Sequence, residues 1–159
     1  MLDLLERRGV EYVLIGGLAG VLHGSPAVTF DTDVCAARDR DNLERLAAAL
    51  REMEAKIRTD AEPGGLPFAC DATFLSTMKV VNLTTKFGDF DVSFEPAGFD
   101  GYDELVVHSV DLAVGDLTVK VASLVDVIRS KEAANRPKDH ATLPILYALQ
   151  DEIAKRDGS

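Results

Sequence analysis

Tyr12-Val13-Leu14-Ile15-Gly16-Gly17, with Asp31-Thr32-Asp33-Val34-Cys35-Ala36 a little further on, sets out a strand, a glycine turn and an acid pair. Tyr12 to Ile15 is short, β-branched and aromatic, the signature of a buried strand. Gly16-Gly17 ends it and lets backbone N–H groups come close to a ligand, because glycine has no side chain and tolerates positive φ. Residues 29–36 read as a second extended segment. Strand side chains alternate, so Asp31 and Asp33 leave the same face. A turn for phosphates beside paired carboxylates suits chemistry in which a divalent metal meets a phosphate chain.

Outward from this segment, the pattern predicts a helix at residues 2–9, stopped by Gly9, and a short apolar helix at 18–23, stopped by Gly24-Ser25-Pro26. Residues 39–54 form an amphipathic helix. Leu43, Leu46, Ala47 and Leu50 fall at helical spacing there, with Asp39 or Asp41 as the cap. Residues 59–67, with Pro63-Gly64-Gly65 and Pro67, read as a connecting loop. Residues 78–84 and 87–94 are strands joined in a hairpin through Lys86-Phe87-Gly88. Residues 104–113 and 117–121 are two more, joined through Gly115-Asp116. Ser123 caps a helix to about residue 134. The last helix starts near Pro137 or restarts at Thr142, since Pro144 interrupts a continuous one, and it ends around residue 156. No repeat, linker or low-complexity run divides the chain. Residues 1–159 therefore read as a single domain of α/β (α+β) class, a mixed β-sheet flanked by helices.

At 159 residues and 47 % hydrophobic content, the chain can bury a core of its own. No apolar run approaches the ~20 residues that span a bilayer. No basic start leads into an apolar segment with a cleavage site. Cys35 and Cys70 form no CxxC and read as reduced core or edge residues. These features point to a cytoplasmic protein with no membrane partner. The formal charge of −10, from 17 basic and 27 acidic side chains, disfavours a broad nucleic-acid platform. Arg129, Lys131, Arg136 and Lys138 nevertheless form a local basic mouth. His23, His108 and His140 lack ligand-like spacing, which argues against zinc. There is no GxxxxGK[ST] loop, and Gly17-x-x-Gly20 lacks the dinucleotide-binding spacing.

The paired carboxylates suit nucleotidyl transfer. A hydroxyl attacks the α-phosphorus of a nucleoside triphosphate (NTP) and pyrophosphate leaves. Two metals ~3.5–4 Å apart activate the nucleophile and screen the leaving group. Mg²⁺, or Mn²⁺, takes a few carboxylates plus substrate phosphates. A third carboxylate belongs on a neighbouring strand. Gly88-Asp89-Phe90-Asp91-Val92 puts Asp89 and Asp91 on one face and Phe90 and Val92 on the other. Asp91 lies deeper in the strand and is the candidate ligand; Asp89 is the turn-side alternative.

The glycine pair, the Asp-x-Asp and the later Phe-x-Asp-Val strand resemble the nucleotidyltransferase fold of the DNA polymerase β superfamily. The nearest pattern is that of the minimal nucleotidyltransferases and the AbiEii-type toxin group, including the MenT-like enzymes. In that group a later helix carries a lysine, then an arginine and a basic-Asp pair. Lys131-Glu132-Ala133-Ala134-Asn135-Arg136-Pro137-Lys138-Asp139 is similar. The resemblance spans about residues 10–147. It implies a Mg²⁺-dependent enzyme that moves a nucleoside monophosphate from an NTP to a hydroxyl or an RNA 3′ end. It also implies site roles: Asp31, Asp33 and Asp91 as metal ligands, Gly16, Gly17 and Ser25 at the nucleotide, Lys131 on the triphosphate, and Asp139 organising the site. Ser25 or Thr29 stands in for a hydroxyl that the superfamily often supplies beside the first glycine. A cation at Lys131 fits the charge developing on leaving phosphates on chemical grounds too. Arg136 and Lys138 read equally as a solvated helix end.

The acceptor is left open between tRNA, a protein hydroxyl and a small molecule. A toxin–antitoxin pair, with a cognate partner protein, is one biological setting for such an enzyme. The alternative is a non-catalytic nucleotide- or partner-binding module, antitoxin-like, on the same fold. The plainest reading is a soluble α/β domain whose acids are structural.

Overall fold

Val13 and Leu14, both fully buried, lie on β1 (Tyr12–Ile15), well inside a mixed sheet. The computed structural model describes residues 1–158. Among them the sheet has seven strands. Beside β1 runs β2 (Thr32–Ala36), antiparallel, with Ile15 opposite Asp33. Next comes β5 (Gly88–Ser93), parallel to β2, with Asp33 opposite Asp91. The hairpin partner β4 (Val80–Thr85) and the two-residue β3 (Lys56–Ile57) complete that edge. On the other side of β1 lie β7 (Leu117–Val121), parallel to it, and β6 (Val110–Val114), antiparallel to β7. The sheet order is β3-β4-β5-β2-β1-β7-β6.

The helices follow from burial of one face each. The first, α1 (Leu2–Arg7), buries Leu4 and Leu5 and packs on α3 (Arg40–Glu52). In α3, Leu43, Leu46, Ala47 and Leu50 are buried, and the Asp39 carboxylate caps the helix by accepting from Asn42 N–H. Asn42 is fully buried and satisfied. Its Oδ1 accepts from Glu11 N–H, and its amide donates to Glu11 O and Ala37 O, which ties the ends of β1 and β2 together. Near the carboxyl end of the chain, α6 (Leu124–Ala134) is capped by the Ser123 hydroxyl, which accepts from Asp126 N–H, and packs against α7 (Pro137–Asp157). The short α2 (Gly16–Leu22) lies against α6 and β1. No helix of the described residues is long and apolar enough to cross a membrane.

Four sequence expectations change. The second strand begins at Thr32, not residue 29, because its partner β1 ends at Ile15 opposite Asp33 and leaves the preceding residues unpaired. Asp31 therefore stands just ahead of the strand. The short apolar helix starts at Gly16 itself. Residues 104–113 are not one strand. A helix, α5 (Tyr102–Val106), comes first, with Leu105 buried and the Glu104 carboxylate accepting from Asp100 N–H; β6 then starts at Val110. Val106 and Val107 are β-branched, yet burial of Leu105 goes with a helical turn at Tyr102–Val106. Finally, α7 starts at Pro137 and runs unbroken through Pro144, held across that point by buried Leu143 and Leu146.

Two elements lay outside the sequence reading. One is β3. The other is α4 (Ala72–Ser76), capped by Asp71, whose carboxylate accepts from Phe74 N–H. The loop at 59–67 folds back on β3, with Ile57 and Leu66 exchanging both backbone hydrogen bonds at 2.9 Å. Gly65 permits that return: a Cβ there would meet Lys56 and Thr84 at 2.7 Å.

Candidate active site

Gly16 turns the chain out of β1 at φ +70°, a left-handed conformation that costs other residues energy. A Cβ on Gly16 would run into the Asp33 carboxylate, and one on Gly17 would sit 3.0 Å from Thr29 Oγ1. The glycine pair thus makes room for Asp33 and Thr29 beside the turn. Gly16→Ala should cost about 1–2 kcal/mol in backbone strain alone. That corresponds to a fall in melting temperature of roughly 2–8 °C, read by circular dichroism. An unchanged melting temperature would mean that the turn relaxes freely.

The parallel pairing of β2 on β5 places Asp33 and Asp91 opposite each other, two carboxyl groups whose interaction favours a proton on Asp33. Burial pushes Asp33 up to about 7, reinforced by Asp91 and by the charge of Asp31, and opposed by Lys138. Asp91 has a second partner, Arg58, whose Nη2 donates to Asp91 Oδ1 at 2.7 Å. Arg58 Nη1 also donates to Leu83 O at 3.1 Å and lies 3.6 Å from Asp89. Of the two acids on β5, Asp91 is the more enclosed, with a side chain 17 % exposed against 40 % for Asp89.

Across from these acids, Asp139 is fully buried at the start of α7. Its carboxylate accepts from Arg136 N–H (3.1 Å), Nε (2.8 Å) and Nη2 (3.2 Å), and Lys131 Nζ lies 3.7 Å away. Burial pushes Asp139 up, but the Arg136 hydrogen bonds and charge, with Lys131, outweigh it and hold the carboxyl below its usual range. Burial lowers Lys131, and Asp139 partly restores it.

Two cavities meet at this cluster. The larger, about 490 Å³, is lined by Asp31, Asp33, Asp91, Arg58, Asp126 and Lys131 among others, with an apolar wall that includes Pro96, Phe99 and Leu105. The smaller, about 340 Å³, is lined by Gly16, Gly17, Ser25, Thr29 and Phe30 together with the basic residues. Asp31, Asp33, Lys131, Arg136 and Lys138 border both. Asp31, Asp33, Asp91, Gly16, Gly17, Ser25, Thr29, Lys131, Arg136 and Lys138 therefore line one cavity or both, whereas the buried Asp139 and the turn-side alternative Asp89 line neither. Arg129 does not join them. It stacks on Phe99 at 4.3 Å and pairs with Glu104 at 3.0 Å. His23 is structural: its Nε2 donates to Ala122 O at 2.7 Å, tying α2 to the end of β7. Ser25 is buried, and its hydroxyl accepts from Ala27 N–H at 3.2 Å.

Sequence reading missed Arg58 and Asp126. Arg58 reaches Asp91 across the sheet, and no local pattern announces that contact. Asp126 lies in Ser123-x-x-Asp126, whose visible signal is a helix start.

No family model and no curated protein sequence matches the chain. Solved structures do. A lincosamide antibiotic adenylyltransferase, LnuA, in its lincomycin-bound crystal structure, superposes with a TM-score of 0.61 at 17 % identity, covering 93 % of this chain and 92 % of that one. The chain has the nucleotidyltransferase fold. A candidate nucleotidyltransferase from Thermotoga maritima, TM1012, matches this fold at a TM-score of 0.56 and 16 % identity, over 89 % and 84 % of the two chains. The antibiotic-resistance factor ANT(2″)-Ia matches it at 0.55 and 12 %, over 99 % and 89 %. On the nucleotidyltransferase fold of this chain, the acids lie on β2 and β5, or just ahead of β2, and the basic residues lie on and between α6 and α7.

Proposed function

We propose that the chain is a divalent-metal-dependent nucleotidyltransferase that moves a nucleoside monophosphate from an NTP to a hydroxyl of a small molecule. The observation that carries this reading is the β2–β5 register, which sets Asp33 against Asp91 with Asp31 beside them, facing Lys131 and Lys138 across shared cavity space.

The acids fit a hard cation. All the donors are carboxylate oxygens, the set that Mg²⁺ and Mn²⁺ prefer. Among the described residues, no three acids, imidazoles or thiols converge into a ready-made ion cage, so an ion held here would need substrate phosphates to complete its ligands. Asp33 holds its proton to about 7 because burial and two neighbouring acids leave it short of positive charge. Asp31, Asp33 and Asp91 would hold the ion, which when bound neutralises phosphate charge and acidifies the attacking hydroxyl.

The cavities divide the substrates. Gly17 and Ser25 border only the smaller one, which suits the triphosphate, with Lys131, Arg136 and Lys138 offering charge to its oxygens. Asp91 borders only the larger one, so it faces the acceptor and accepts a hydrogen bond from its hydroxyl. Arg58 fixes the direction of Asp91. A cavity of about 490 Å³ lies within the range of small-molecule sites, roughly 300–1,000 Å³. A net charge of −10 gives RNA little reason to dock. A small acceptor also agrees with the fold neighbours, one an adenylyltransferase with lincomycin bound and one an antibiotic-resistance factor.

The test combines thermal shift with labelled transfer. A Mg²⁺–NTP complex should raise the melting temperature by mass action, and α-labelled NTP should pass its label to an acceptor only while Mg²⁺ is free. Label transfer that survives excess chelator, or no NTP effect on melting, would overturn the reading.

A further inference from the structure

We propose that the rim of the smaller cavity is the nucleobase subsite, where Phe30 holds the base by stacking on its face and leaves its edge unread. The inference rests on the nucleotidyltransferase reading above and names what the nucleotide end of that site accepts: any of the common NTPs.

Phe30 stands directly ahead of Asp31, between α2 and β2, and borders the smaller cavity together with Val28. Phe30 is 90 % exposed and Val28 79 %. The other phenylalanines have cover. Phe90, Phe94 and Phe99 are buried, Phe68 and Phe74 pack ring to ring at 5.1 Å, and the Lys86 ammonium lies 5.4 Å over Phe87. Scattered apolar side chains on a surface are ordinary, but two together on the rim of a charged cavity are not scattered. The bare ring sits on an anchored segment. Thr29 fills the space beside Gly17, and Ser25 is buried with its hydroxyl accepting from Ala27 N–H. The sheet pairs with β2 only from Thr32 onward, so no strand covers Phe30.

The charges of this cavity are spoken for. In the proposed mechanism Asp31 and Asp33 answer the metal, and Lys131, Arg136 and Lys138 answer the phosphates. The base is the part of an NTP that remains, and an aromatic face suits it. Stacking tolerates every base, because every base has a π-face. Reading an edge calls for groups that match its donors and acceptors, as the amide of Asn or Gln does. Among the described residues lining this cavity there is neither. Its threonines turn their hydroxyls to the backbone, Thr29 donating to Asp31 O at 3.5 Å and Thr142 to Lys138 O at 2.9 Å. What the rim offers a base is therefore the ring of Phe30 with Val28 beside it.

The experiment uses the full chain with Mg²⁺ and ATP, GTP, CTP or UTP, and with Mg²⁺–tripolyphosphate as the probe that lacks a base. The chain contains no tryptophan, so Phe30→Trp installs a single fluorescent reporter. Its emission should change on adding each NTP and stay constant with tripolyphosphate. By calorimetry the original protein should bind the NTPs within about tenfold of one another, and Phe30→Ala should weaken each about tenfold while Phe30→Tyr keeps the affinity. The ring is exposed, so all these variants should melt with the original protein when no nucleotide is present. Unchanged NTP affinity in Phe30→Ala would assign the bare ring to another partner and overturn the proposal. So would equal losses in Phe30→Ala and Phe30→Tyr, or a Phe30→Trp emission that ignores NTP or responds equally to tripolyphosphate. A preference above about a hundredfold for one NTP would show edge reading and overturn it too. Each of these results leaves the nucleotidyltransferase reading standing while Mg²⁺–NTP still raises the melting temperature of the original protein. No NTP effect on that protein would instead overturn the nucleotidyltransferase reading.

Discussion

Asp33→Asn should abolish nucleotide transfer and at the same time make the metal-free protein more stable at pH 8. The two effects have one origin. Asp33 is set against Asp91 by the β2–β5 register and is displaced upward to about 7, chiefly by burial and then by its acidic neighbours. The folded state therefore holds a proton that the unfolded chain, near 3.8, has released. The folded state binds more protons between these values, so stability falls as pH rises from about 4 to about 7. A displacement of this size corresponds to about 4 kcal/mol at most. Asp33 is partly wet, so about half of that is expected, or roughly 4–8 °C in melting temperature. Asparagine keeps a hydrogen-bonding group toward Asp91 and cannot ionise. Melting curves in excess chelator should coincide for the two proteins near pH 4 and separate by pH 8, the variant being the more stable. Added Mg²⁺ should stabilise the original protein more at pH 8 than at pH 5, because the ion competes with the proton. Transfer should fall by about 10³-fold, the scale of losing charge stabilisation at the reacting centre. A variant less stable at every pH, or one that still transfers label, would contradict the role assigned to Asp33.

Local patterns carried most of the fold. Four residues of β1, the β4–β5 hairpin around Lys86-Phe87, β7 and the Ser123 cap of α6 each follow from alternation or turn chemistry within a few residues. The alternation on β5 also says that Asp89 and Asp91 share a face opposite buried Phe90 and Val92. What alternation cannot supply is register. That Asp33, and not Asp31, stands opposite Asp91 depends on how β2 slides on β5. Arg58 and Asp126 were invisible for the same reason, since their partners and surroundings come from distant parts of the chain. The glycine pair shows a subtler gap. Read alone, Gly16-Gly17 is a place for a ligand to approach backbone. In the fold, the space beside each glycine is already taken by a side chain, Asp33 for Gly16 and Thr29 for Gly17.

Asp139→Ala should be the most destabilising single change near the cavities. Asp139 is fully buried and binds Arg136 through three hydrogen bonds, one from the backbone at the start of α7. It is also the anion nearest Lys131, whose side chain is only 14 % exposed. Removing it strips the α7 start of its capping acceptor and leaves a poorly hydrated ammonium without its counter-charge. Breaking a buried pair from one side costs about 3–5 kcal/mol, or a fall of roughly 6–20 °C in melting temperature. Asp139→Asn should lose less, because an amide oxygen still accepts from Arg136 N–H. The pH dependence has the opposite sign to that of Asp33. Asp139 is held below its usual range, so its contribution is present above the unfolded value of about 3.8 and is lost as pH falls through the folded value. Calorimetric melts between pH 2 and 6 should show a steep acid loss in the original protein that Asp139→Asn flattens. If Asp139→Ala instead melts with the original protein, water already screens the pair. Lys131 then needs no buried anion to hold it, and its place between the two cavities must be set by α6 alone.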